Sequence, residues 1–168
     1  DFSVSCSPST FTTTPGNNAT GTCTVNSIQG FNGPVDLNCT NLPAGASCGF
    51  VPDPVTPPAD GSVNSAITVT VAQSVLGGSY PFQVTGTNGA NTKTFSTTLQ
   101  VQDFSITSSP SSLIAAPGGN ATSTTTFTAI AGFNGSVDLD CAGLPAGISC
   151  TFNPDPVTPT ASSTLTVD

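Results

Sequence analysis

The chain repeats itself at a constant offset, and that repeat restricts its possible folds more than any other feature. Asp1-Phe2-Ser3 returns as Asp103-Phe104-Ser105, Pro15-Gly16 as Pro117-Gly118, and Gly30-Phe31-Asn32-Gly33 as Gly132-Phe133-Asn134-Gly135. Val35-Asp36-Leu37 recurs as Val137-Asp138-Leu139, and Leu42-Pro43-Ala44-Gly45 as Leu144-Pro145-Ala146-Gly147. A unit this long exceeds one turn of a solenoid and can bury a core of its own, so the repeat predicts two domains, residues 1–102 and 103–168. The second copy is incomplete. Asp168 aligns with Thr70 once the loop behind Pro159 is shortened, and nothing in copy two corresponds to residues 71–102.

Within each copy, apolar residues alternate with polar ones at a period of two. The sets are Phe2, Val4, Cys6; Cys23, Val25; Val35, Leu37, Cys39; Cys48, Phe50; Ile67, Val69, Val71; Tyr80, Phe82, Val84; and Phe95, Thr97, Leu99, Val101. Each set shares one strand face, with Ser, Thr, Asn or Gln mostly on the other. Pro-Gly, Asn-Gly, Gly-Gly and Pro-Asp-Pro sequences separate the runs as turns. About seven short strands per copy predict an all-β fold of tandem antiparallel β-sandwiches, with no helix longer than a turn and with the second sandwich lacking its last two strands. Only Gln102 separates Val101 from Asp103, which predicts a stiff junction.

The six cysteines sort by comparison of the copies. Cys39 and Cys48 match Cys141 and Cys150, whereas Cys6 and Cys23 match Ser108 and Thr125, so that pair is lost together. Joint presence and joint absence mark bonded partners and select Cys6–Cys23, Cys39–Cys48 and Cys141–Cys150 from about 15 possible connectivities. A thiolate metal site is the rival, but the chain has no His and no Cys-x-x-Cys, and copy two has only two thiols. Disulfides imply an oxidising, extracellular or cell-surface location. The cysteines fall in phase with the apolar residues, so the bridges should lie in or beside the core.

Asp-Phe-Ser at the start of each copy, Pro-Gly-Asn/Gly-Asn-Ala-Thr, Gly-Phe-Asn-Gly-x-Val-Asp-Leu, Leu-Pro-Ala-Gly and Gly-Gly-Ser-Tyr-Pro-Phe-Gln-Val-Thr-Gly-Thr together resemble the immunoglobulin-like repeats of secreted and surface-attached bacterial proteins. The resemblance covers all of copy one and copy two as far as it extends. It implies spacers, adhesive stalks and filament subunits, with no catalytic residues to carry over, and it places Gly78-Ser79-Tyr80 at the entry to the sixth strand. The cysteine pairs depart from the usual repeat, because neither copies the inter-sheet bridge of antibody domains.

Nine Asp and one Lys, Lys93, with no Glu, Arg or His, leave a net charge of −8. Nothing on such a surface neutralises phosphate, so nucleic acid and anionic membranes are not expected partners. No apolar run is long enough to span a bilayer, and residue 1 already reads as strand, so neither a membrane span nor a signal peptide is expected. With no His or Glu and one Lys, a nucleophile has no base beside it, and no cofactor or metal is expected. Asp138 and Asp140 lie two apart, but they share the polar outer face opposite Val137, Leu139 and Cys141. Asp53 and Asp155 in Pro-Asp-Pro loops, with Asp1 and Asp103 at the module starts, are the alternative as calcium ligands, though without a bidentate Glu. Possible glycosylation sites are the sequons at Asn18, Asn38, Asn120 and Asn134. Asn, Ser and Thr are so abundant that this number of sequons is what chance supplies. Thr12-Thr13-Thr14 and Thr124-Thr125-Thr126 are strand sequences that are also candidates for O-linked sugars.

These readings lead to a non-enzymatic structural module of a surface stalk or filament, stiffened by disulfides. The alternative is an adhesin or carbohydrate-binding module acting through loop tips, for which Phe31 and Phe133 are the exposed-aromatic candidates unless they fold back as plugs. Copy two should not be stable alone, so its partners are expected to be β-strands, supplied by a neighbouring subunit through self-association or by a continuation of a longer chain.

Overall fold

The computed structural model describes every residue from Asp1 to Asp168. The chain divides into two compact units, Asp1–Gln102 and Asp103–Asp168. Both are built from strands, turns and loops, and no helix is long and apolar enough to cross a membrane.

The first unit contains β1 (Phe2–Ser7), β2 (Thr10–Thr13), β3 (Asn18–Ser27), β4 (Asp36–Thr40), β5 (Ala46–Val51), β6 (Ser62–Val71), β7 (Gly78–Asn88) and β8 (Asn91–Val101). They form two four-stranded sheets, ordered β1-β3-β6-β5 and β2-β8-β7-β4. The two-residue alternation puts Phe2, Val25, Ile67 and Val69 of one sheet, and Phe11, Phe82, Val84 and Leu99 of the other, into a single buried core. Phe11 and Phe82, on different strands of the second sheet, meet with ring centroids 5.8 Å apart.

Eight strands replace the expected seven, because the first apolar run breaks at Pro8. A proline has no N–H to continue the ladder. Residues before it pair with β3, and those after it join the other sheet, where Thr10–Thr13 lies beside Thr98–Val101. The β2–β8 ladder is parallel, a correction to the expectation of wholly antiparallel sheets; all other ladders in the unit are antiparallel.

The second unit contains β9 (Asp103–Ser109), β10 (Ala121–Ile130), β11 (Cys150–Asn153) and β12 (Ala161–Val167) in one antiparallel sheet, ordered β11-β12-β10-β9. This is the counterpart of β5-β6-β3-β1. Ser163 takes the place of Ser65: the hydroxyl of each is buried and donates to a proline carbonyl, Pro154 at 2.7 Å and Pro52 at 2.6 Å. The loss is larger than the expected two strands. Residues 112–115 and 138–142, the counterparts of β2 and β4, are also irregular. In the first unit β2 pairs with β8 and β4 with β7, so removing the counterparts of β7 and β8 leaves both without a ladder partner, and the whole second sheet is gone.

Candidate interaction surface

The cystines tie specific elements together. Cys6 and Cys23 face each other in register on β1 and β3, so their bridge lies within one sheet, with Cys23 fully buried. Cys39 on β4 is bonded to Cys48 on β5, the edge strands of the two different sheets, and this cystine closes one side of the core. Cys141–Cys150 makes the equivalent link in the second unit, from the irregular segment to β11. The period-two pattern placed these cysteines beside the core, but it carried no sign that one bridge type joins the sheets.

The aspartates considered as calcium ligands hold backbone instead. Asp53 Oδ1 accepts the Leu37 N–H at 2.9 Å, and Asp155 Oδ1 accepts the Leu139 N–H at 3.0 Å. Each lies beside a two-residue bridge, Val35 to Val55 and Val137 to Val157, with paired N–H···O contacts of 2.8 to 3.0 Å. Asp1 Oδ1 accepts the Phe2 N–H and Asn91 Nδ2, and its Oδ2 accepts from Lys93 Nζ, all at 2.9 Å, while Asp103 Oδ1 accepts the Phe104 N–H at 2.8 Å. The Asp1–Lys93 pair is exposed, so it contributes less than about 1 kcal/mol. Asp138 and Asp140 are exposed but lie off any strand, and both border the groove beside Val137 and Leu139 instead of a separate outer face; Asp140 Oδ1 accepts the Cys141 N–H at 2.8 Å.

Phe31 folds back against Phe2, with centroids 5.2 Å apart, and Phe133 against Phe104 at 5.3 Å. Both rings are half-buried, and Phe31 packs on the core of its unit. Asn18, Asn38, Asn120 and Asn134 are all exposed. Thr13 and Thr125, the central residues of the two threonine runs, are buried and closed to sugar attachment.

The remaining feature is an open apolar groove of about 300 Å³ over the sheet of the second unit, lined among others by Phe104, Ile106, Phe127, Val137, Leu139 and Leu165. Ile106 is 53% exposed, whereas its counterpart Val4 is buried. Phe127 is the exception, fully buried at the groove floor in spite of the missing layer. Sequence comparison of the copies located this face; the disorderly loss of residues 112–115 and 138–142 from the ladders required the structure.

No family model matches the chain, and no curated protein matches it. Among solved structures, a family 123 glycoside hydrolase from Clostridium perfringens aligns with 60% of this chain at 9% identity and a TM-score of 0.48, and bovine butyrophilin with 99% at 13% identity and a TM-score of 0.41. The surface layer protein SbsC, domains 4–9, aligns with 99% at 12% identity and a TM-score of 0.42. The chain spans 27% of the hydrolase chain, 26% of the surface layer chain and 85% of the butyrophilin chain. Identities this low leave the activities of those proteins with those proteins.

Proposed function

We propose that the protein is an extracellular structural module, a run of immunoglobulin-like β-sandwiches serving a surface stalk or filament as stiff spacers, without catalysing a reaction. The observation that carries the reading is the cystine clamp between edge strands, Cys39–Cys48, repeated in the second unit as Cys141–Cys150. Cystines persist in oxidising surroundings, and these fasten separate elements rather than sit near any reactive group. The sheet orders β1-β3-β6-β5 and β2-β8-β7-β4 correspond to the ABED and CFG layout of immunoglobulin domains, with β2 added beside the last strand. The Tyr80 hydroxyl donates to the Leu76 carbonyl at 2.8 Å at the entry to β7, as in the tyrosine corner of that fold.

The partners in this reading are β-strands that cover the face of the second unit, with glycans on the exposed sequons, and neither nucleic acid nor membrane. An adhesin acting through aromatic loop tips is not favoured, because Phe31 and Phe133 rest on their own strands.

Electron microscopy of the native material, labelled with an antibody against the first unit, tests the reading. Label spaced along extended structures outside the cell is expected. Label confined to a reducing compartment, or to discrete particles with catalytic turnover, would overturn it.

A further inference from the structure

We propose that the exposed apolar face of the second unit is an acceptor prepared for one kind of partner, a β-hairpin carrying the pattern of β7 and β8. The proposal rests on the reading of the chain as an assembling structural module and names what its open face takes.

The first unit displays the occupant of the equivalent floor. There β7 and β8 lay Phe82, Val84, Leu99 and Val101, each at most 2% exposed, over the β1-β3-β6-β5 sheet, and β7 pairs with β4 from Asp36↔Thr87 to Thr40↔Gln83. In the second unit the sheet is present and the receiving segment, residues 138–142, has no ladder partner. That segment is nevertheless anchored at both ends. The Val137–Val157 bridge and the Asp155 carboxylate on the Leu139 N–H hold its start, and the Cys141–Cys150 cystine holds its far side. Of the two cystine types, the second unit carries the one that fixes this edge. An edge held in place before the partner arrives lowers the ordering cost of binding.

The floor also dictates the hairpin's sequence. A Cβ on Gly86 of β7 would lie 2.7 Å from Val4 Cγ2, 3.0 Å from Val35 Cγ1 and 3.2 Å from Phe2 Cε2, so only glycine fits above those three. Their counterparts, Ile106, Val137 and Phe104, all line the open groove, and Ile106 is bulkier than Val4. The partner must therefore carry glycine at that position. Opposite Asp138 and Asp140 it needs neutral or basic residues, as Thr87 and Thr85 are neutral opposite Asp36 and Asn38, because like charges directly across a ladder repel.

The test adds a synthetic peptide of residues 71–102 to the full chain, with binding followed by calorimetry and by amide hydrogen exchange. A saturable one-to-one complex that slows exchange in residues 138–142 is expected. The Gly86→Leu peptide should bind about fivefold more weakly or worse, the least that overpacking a filled interface costs, and a Cys141→Ser/Cys150→Ser chain should also bind more weakly. If the free peptide aggregates, the same sequence is joined after Asp168, and protection of residues 138–142 is read directly. The proposal is overturned by a monomeric chain that takes up neither form of the hairpin, by equal binding of the Gly86→Leu peptide, by protection appearing only in the first unit through exchange with its own β7–β8, or by two chains pairing through this face so that the peptide is excluded. Failure here with extracellular labelling intact would leave the spacer reading standing, and hairpin binding by a chain found in a reducing compartment would do the reverse.

Discussion

Asp53 lies in a Pro-Asp-Pro loop that reads in sequence as a solvated turn, yet its carboxylate accepts the Leu37 N–H and so fixes the start of β4. Replacing it by Ala removes the acceptor and should lower the unfolding free energy of the first unit by about 1 to 2 kcal/mol, whereas Asn, which keeps an oxygen there, should cost less; urea denaturation measures both. Equal losses for the two variants would show that the hydrogen bond is not the cause. Phe31→Ala should cost about 2 kcal/mol, below the range for a wholly buried phenylalanine because the ring is half-buried on Phe2. The sequence left open whether Phe31 was a plug or a contact tip, since a Gly-Phe-Asn-Gly turn orients its ring only through tertiary contacts. The role of Asp53 was missed for a similar reason: its partner is a backbone N–H sixteen residues away. The available signal was the return of the aspartate, as Asp155, in the same Pro-Asp-Pro setting.

Strands are the most legible elements of this chain, because alternation is a local property and long runs such as β3, β6, β7 and β8 carry many periods of it. The split of the first run into β1 and β2, and the parallel pairing of β2 with β8, were not legible from periodicity, which says which face a residue takes and not which sheet its strand joins. The two cystines of the first unit differ at this scale. In the chain-entropy model, closures of 17 and 9 residues give about 3 and about 2.5 kcal/mol, so their global effects should be similar. Their local effects should not be. Cys39→Ser/Cys48→Ser opens the seam between two sheets and should speed amide exchange in β4 and β5, while Cys6→Ser/Cys23→Ser leaves β1 paired with β3 through the surrounding ladder and should change exchange there little. Exchange rates that rise equally in both variants would contradict the assignment of Cys39–Cys48 as the seam.

At the scale of the whole molecule, the two units share one sheet design and differ in whether a second sheet covers it. The counterparts of Phe82, Val84, Leu99 and Val101 are missing from the second unit, and each large side chain properly buried contributes roughly 1.5 to 3 kcal/mol, so the deficit is comparable to the roughly 5 to 15 kcal/mol by which whole domains are stable. Residues 103–168 made alone should be unfolded or should associate, and a monomer of that segment with a sharp melting transition would refute this expectation. The open face itself was legible from the truncated repeat. The further loss of the β2 and β4 counterparts was not, because a strand's ladder partner lies far away in sequence and its removal is felt only through the sheet. The most direct measurement of this asymmetry is native-state amide hydrogen exchange on the full chain. Slow exchange in β3 and β6, with much faster exchange in their counterparts β10 and β12, is the predicted result; equal protection in the two pairs of strands would contradict the claim that the second unit lacks the sheet that stabilises the first.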